Sequence, residues 1–176
     1  MKADIVLENI WLKVNIVYKV ILVIISSFLI FLSAQISINL PFTPVPITGQ
    51  TFTILLISLI LPKEWAFYSI IAYIIEGALG FPVFANFKGG INVILGPTGG
   101  YILSWIFVVF ILKFLLRYVP RFFALLLTSL YILIIGSLWL SIFVGIENAF
   151  KMGFLPFIIG DFIKIIILSI IPISKR

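Results

Sequence analysis

The run F-F-A-L-L-L-T-S-L-Y-I-L-I-I-G-S-L-W-L-S-I-F-V-G, residues 122–145, holds no charged side chain. A helix needs about 20 predominantly apolar residues to cross some 30 Å of hydrocarbon, so this stretch is long enough to span a bilayer unaided. Five further apolar stretches of helical length flank it, at about 20–38, 46–61, 65–79, 99–116 and 154–171. The second and third of the six are short and broken by Pro and Gly, and they are expected to lean on neighbouring helices rather than cross as isolated rods. Over all 176 residues 63% are apolar and 10% charged, against roughly 45–50% and about 25% in an ordinary soluble domain. That balance, with a mean hydropathy of +1.33, excludes a water-soluble globule and excludes disorder. The expected architecture is an all-α integral membrane protein with six transmembrane helices. It forms a single membrane domain over 1–176: a cytoplasmic segment at 1–19, a six-helix bundle at 20–171 and a cytoplasmic tail at 172–176.

Charge placement sets the expected orientation. Lys2, Lys13, Lys19, Lys63, Lys113, Arg117, Arg121, Lys175 and Arg176 fall at the termini and in the even-numbered turns, whereas only Lys88 and Lys151 fall on the opposite face. The positive-inside rule then puts both termini in the cytoplasm. Topology accounts for the net charge of +6, so no nucleic-acid partner is expected. The first stretch is expected to stay as a span. Asp4 and Glu8 precede it, and Leu32-Ser33-Ala34 is a poor match to a cleavage site.

Cys and His are both absent, which removes disulfides, thiol nucleophiles, imidazole bases and Cys/His metal sites. Polar residues concentrate in three segments on the outward side: N-L-P-F-T-P-V-P-I-T-G-Q (39–50), G-F-P-V-F-A-N-F-K-G-G-I-N-V-I-L-G-P-T-G-G-Y (80–101) and G-I-E-N-A-F-K-M-G-F-L-P-F (145–157). The prolines at 41, 44 and 46 suit an extended entry into the second span. Thr48 and Gln50, at a helix start in the membrane, need partners and either cap the helix or meet a ligand. G-P-T-G-G lacks the G-x-x-x-x-G-K-[ST] spacing of a phosphate loop, so uphill movement of a solute would draw on a partner or an ion gradient.

Asp161 and Lys164 give the sharpest local signal. They stand at i and i+3 on one helix face. Counting about 1.5 Å per residue from 154 places Asp161 roughly 10 Å below the outer edge, with Lys164 near mid-depth. Ionisable groups at such depth face the bundle interior and are functional candidates by default, although mutual neutralisation is a second reading. Glu76, near the outer end of the third span, is a further intramembrane carboxylate that would snorkel, cap or join the same cavity.

Four motifs in order, P-V-P-I-T-G-Q (44–50), G-A-L-G-F-P-V-F (77–84), L-G-P-T-G-G-Y (95–101) and P-F-x-x-G-D-x-x-K (156–164), resemble the BioY family. This is the biotin-binding S component of energy-coupling factor transporters, and the likeness covers about 33–171. It implies a compact six-helix protein that takes biotin from the outer side, roofed by the loops between spans one and two and between three and four. The implied partners are biotin, a transmembrane coupling protein, two cytoplasmic ATPases and the lipid bilayer of a prokaryotic-type cell membrane. Biotin is cargo, and no cofactor or metal is implied. Carried over residue by residue, the resemblance sets Thr48, Gln50, Tyr73, Asn86, Lys88, Thr98, Tyr101, Asp161 and Lys164 around the ligand, with Tyr73, Phe84 and Tyr101 packing on its apolar parts. The coupling protein is expected to pack along span one at Ser26, Ile30 and Ala34, where the bulk of Ile30 departs from the family's small residues. Pro62-Lys63-Glu64 likewise replaces the glycines common after span two.

Two other readings compete. One is a partner-independent vitamin or organic-acid permease using Glu76, Asp161 and Lys164 as an ion or proton relay. The other is an intramembrane enzyme with Glu76 and Asp161 as acid and base. The second is the poorer, because no nucleophile or metal cluster joins those carboxylates, and no enzyme activity is expected.

Overall fold

The computed structural model describes residues 15–172. Lys2, Asp4, Glu8, Lys13, Lys175 and Arg176 lie outside that range.

Long helices occupy all six apolar stretches: α1 (Ile16–Gln35), α2 (Gln50–Ile60), α3 (Lys63–Ala78), α5 (Gly99–Leu115), α6 (Arg121–Val144) and α8 (Leu155–Ile170), with the one-turn helices α4 (Ile91–Leu95) and α7 (Ile146–Ala149) between them. Sequence chemistry sets their ends. The side chain of Asn15 accepts the amide of Val17 at 3.1 Å and starts α1 as a cap does. Pro62 and Pro120 immediately precede α3 and α6, where a missing N–H costs nothing.

Two expectations need correction. The second span was read from residue 46, but α2 begins at Gln50 and residues 47–48 are extended. β2 (Ile47–Thr48) pairs antiparallel with β1 (Ser37–Ile38), so the bundle is all-α apart from this short ladder. Pro44 and Pro46 explain it, since a proline pushes the residue before it out of the helical region. The third outward segment is largely helical. Beyond Gly145 the chain is helical again, through α7 and a π-helical turn at Phe150–Phe154 into α8. The π turn widens the backbone just ahead of Pro156, whose missing donor an α-helical interior would not tolerate.

Three helical runs are long and apolar enough to cross a membrane by themselves: Ile16–Gln35, Arg121–Val144 and the composite Ile146–Ile170. The bundle is apolar outside as well as inside. Ile24, Phe28, Leu138, Ile142, Ile159 and Ile163 are all exposed, a surface that suits lipid rather than water. Several buried hydroxyls are spent on their own helices: Ser58 donates to the Ile54 carbonyl, Ser69 to Trp65 and Thr128 to Ala124, each at 2.7 Å. No water is needed to satisfy them.

α2 sits centrally, against α1, α3, α5 and α8, while α5 packs along α6 and α1 along α3. Ser26, Ile30 and Ala34 are buried in this packing, Ile30 and Ala34 completely. The expected docking stripe on α1 therefore faces the bundle, which gives Ile30 a packing role. Basic residues gather at one end of the bundle. Lys19 lies over the Trp65 ring and Lys63 over Phe110, Lys113 donates to the Leu59 carbonyl at the end of α2, and Arg121 donates to the Ile171 carbonyl. The Pro/Gly segments lie at the opposite end.

Candidate functional site

A cavity of about 280 Å³ opens among the Pro/Gly segments and α2, α5, α6 and α8. Nine of the ten residues singled out from the sequence line it: Thr48, Gln50, Phe84, Asn86, Lys88, Thr98, Tyr101, Asp161 and Lys164. Their side chains arrive from four parts of the chain, and each is held by identifiable contacts.

Thr48 and Gln50 both line the cavity at the start of α2. The Thr48 hydroxyl accepts the Gln50 amide at 3.3 Å and donates to Gln50 Oε1 at 2.9 Å. Gln50 Nε2 in turn donates to Tyr73 Oη at 2.6 Å, and Tyr73 donates to the Val83 carbonyl at 2.9 Å. Tyr73 is thus the exception among the ten. It is fully buried one layer behind the wall, with Phe84 edge-on to its ring at 5.6 Å, and the expected ligand contact becomes a support for Gln50. Phe84 can reach this position because Gly77 lies against its ring, where any Cβ would collide.

The roof joins two segments. Asn86 has left-handed backbone geometry, φ 59°, which Asn tolerates better than most residues. Its side-chain amide exchanges hydrogen bonds with Asn39 at 3.1 and 3.0 Å and accepts from Ser37 at 2.9 Å. Gln35 reinforces the join, donating to the Phe84 carbonyl at 3.2 Å and accepting the Phe87 amide at 3.0 Å. Lys88 is exposed at the rim.

Tyr101 forms part of the wall. Its ring lies against Gly136 of α6, at a position no larger residue could occupy, and its hydroxyl donates to the Gly153 carbonyl in the π turn at 2.7 Å. Thr98 precedes α5 and donates to the Val93 carbonyl at 3.3 Å.

Inside the bundle, Lys164 Nζ stands 2.9 Å from Asp161 Oδ1, and Ser129 Oγ donates to Asp161 Oδ2 at 2.7 Å. Asp161 is 5% exposed. An ion pair of this kind leaves the inner wall polar but without net charge. Of the third outward segment only Phe157 reaches the cavity.

Sequence reading missed three contributors. Trp105 lines the cavity, 4% exposed, and its indole N–H is buried without a hydrogen-bond partner among the described residues. It stands one helical turn from Tyr101 on α5, a spacing that could have flagged it. Asn92 also lines the wall. Ser129 had no signal beyond being a hydroxyl in an apolar run. Glu76 does not line the cavity. Its carboxylate accepts from Ser27 Oγ at 2.6 Å where α3 packs on α1, so of the three expected sites for it, the shared cavity is excluded. Among the described residues no cluster of carboxylates is arranged to hold a metal ion.

Comparison with known proteins gives the family. The model of the BioY family matches residues 6–175. The chain is 48% identical to a probable biotin transporter BioY of Pyrococcus horikoshii, over 74% of this chain and 79% of that one. It is 36% identical to the biotin transporter BioY of Thermotoga maritima, over 79% and 85% respectively. Its fold is similar to a crystal structure of the S component for biotin from an ECF-type ABC transporter, with TM-score 0.77 and 27% identity over 88% of each chain. With the family match spanning nearly the whole sequence, and the cavity built from the motifs that suggested it, the chain belongs to the BioY family.

Proposed function

We propose that the protein captures biotin from the extracytoplasmic side of a prokaryotic cell membrane and passes it inward as the S component of an energy-coupling factor transporter. The observation that carries this reading is the Asp161–Lys164 pair, 2.9 Å apart, set in a cavity whose apolar walls include Phe84, Trp105, Ile132, Leu133 and Phe157. A mostly apolar pocket with a few placed polar groups is what a small, largely apolar ligand requires. A ureido ring offers two N–H donors and one carbonyl acceptor. Asp161 supplies the matching acceptor and Lys164 the matching donor, without net charge. In this reading Asp161 takes a ureido N–H, and Lys164 donates to the ureido oxygen or to the valerate carboxylate. Thr48, Gln50, Asn86, Lys88 and Thr98 supply polar contacts, and Tyr101 and Phe84 pack on the thioether ring and chain.

The same reading has all six long helices crossing the membrane as one domain with both termini cytoplasmic. The gathering of Lys19, Lys63, Lys113 and Arg121 at the end opposite the cavity roof supports it through the positive-inside rule. Energy comes from a transmembrane coupling protein with two cytoplasmic ATPases. The ion-gradient permease loses its relay, because Glu76 lies outside the cavity. The family is one of transport components rather than enzymes.

The test is calorimetric titration of the detergent-purified protein with biotin and other water-soluble vitamins, alongside Asp161→Asn and Lys164→Met. Selective binding of biotin, weakened in both variants, is expected, and near-native affinity in both overturns the site. Vesicle uptake driven by an ion gradient without any ATPase would favour the permease.

A further inference from the structure

The two oxygens of Asp161 are held by two different helices. Lys164, one turn along α8, takes Oδ1 at 2.9 Å, and Ser129, on α6, takes Oδ2 at 2.7 Å. Ser33, Ser58, Ser69, Ser104 and Thr128 donate to their own helix, whereas Ser27 donates to the Glu76 carboxylate of a neighbouring one. Ser129 likewise donates to a carboxylate 32 residues away, and it is 2% exposed.

Ser129 does not line the cavity that holds Lys164. It lines a separate narrow fissure of about 40 Å³ between α6 and α8, whose other walls are Leu126, Leu130, Leu133, Ile158, Phe162 and Ile165, with Asp161 at the boundary. Asp161 thus has the ligand cavity on one side and an apolar fissure on the other, where Ser129 is the sole polar group. A carboxylate oxygen left bare in such surroundings draws the nearest cation across to cover it. Lys164 has three N–H donors, of which one is used among the described residues.

We propose that Ser129 is a positioning residue for the ligand-binding carboxylate. By covering Oδ2 from behind, it keeps Lys164 on Oδ1 alone, so that the remaining ammonium donors and the free lone pairs of Asp161 serve the cavity. The proposal rests on the biotin reading of that cavity.

Biotin titration of the purified full chain tests it, with Ser129→Ala, Ser129→Thr, Asp161→Asn and the Ser129→Ala/Asp161→Asn double variant. Ser129→Ala should weaken binding about tenfold, the scale of one hydrogen bond to a charged group. Ser129→Thr should restore it, because the hydroxyl is kept and the fissure takes the methyl. In the Asp161→Asn background, Ser129→Ala should have no further effect. Wild-type affinity in Ser129→Ala, or an equal loss with and without Asp161, overturns the proposal in favour of a packing role. The second measurement needs no ligand: the infrared carboxylate stretch of Asp161, assigned by difference against Asp161→Asn, should shift in Ser129→Ala and hold in Ser129→Thr. If the wild type fails to bind biotin while that band shifts, the ligand reading falls and the positioning stands. An unmoved band overturns the positioning itself.

Discussion

Gln50 Nε2 donates to Tyr73 Oη across 2.6 Å, tying a residue that faces the cavity to one that does not. The chain continues from Tyr73 to the Val83 carbonyl in the roof segment, so α2, α3 and the roof share one line of hydrogen bonds. Tyr73→Phe breaks that line while preserving the ring packed against Phe84. It should weaken biotin binding roughly tenfold and also lower the thermal midpoint in detergent, since Gln50 and the Val83 carbonyl each lose a partner. Calorimetry and an unfolding scan on the same sample check both halves.

Removing one member of the Asp161–Lys164 pair leaves a lone charge in an apolar interior. Asp161→Asn and Lys164→Met should each lower thermal stability as well as affinity, by an amount on the order of 3–5 kcal/mol for a buried pair broken on one side. The double variant should recover much of the stability without recovering affinity. A set of unfolding curves separates the two effects.

Gly136 makes room for the Tyr101 ring, whereas the nearest atom to a Cβ at Gly160 is Ile47 Cγ2 at 3.8 Å, an ordinary contact. Gly136→Ala should therefore destabilise by about 1–3 kcal/mol through overpacking and disturb the Tyr101 wall. Gly160→Ala should be neutral or stabilising by up to about 1 kcal/mol through helix propensity. The two midpoints, measured side by side, should move apart.

Trp105 is the one described tryptophan in the cavity wall, since Trp65 and Trp139 do not line it. Biotin should change the intrinsic fluorescence, and Trp105→Phe should abolish most of that change. A full response in Trp105→Phe would place the ligand elsewhere.

Asn39 and Asn86 join the two roof segments by reciprocal amide hydrogen bonds. The chain has no native cysteine, so Asn39→Cys/Asn86→Cys isolates one cross-link. Oxidation should slow biotin association and dissociation together, and reduction should restore both, as stopped-flow fluorescence would show.

Much of this molecule is legible from residue order. The uncharged run at 122–145 and its five companions all fold as helices, and three helical runs are long and apolar enough to cross a membrane by themselves. Asp161 and Lys164 stood out because charge inside an apolar run is costly wherever the helix lies. The start of α2 was misplaced by four residues, because local proline chemistry outweighed hydropathy there. The Gly and Pro of 145–157 do not break the helical run, because a π turn stands just ahead of Pro156 and lets the helix continue.

What sequence alone determined, then, was the solvent of this protein, its helices and the pair of charges most in need of explanation. These follow from local composition and spacing, which one strand of residues contains in full. Tertiary structure decided the rest: that Tyr73 stands behind Gln50, that Glu76 answers to Ser27 and not to the cavity, that Ile30 faces inward, and that Ser129 holds the far oxygen of Asp161. Each is a contact between helices, and which faces meet depends on how the whole bundle packs. Hydropathy cannot express that when the outer surface is as apolar as the core.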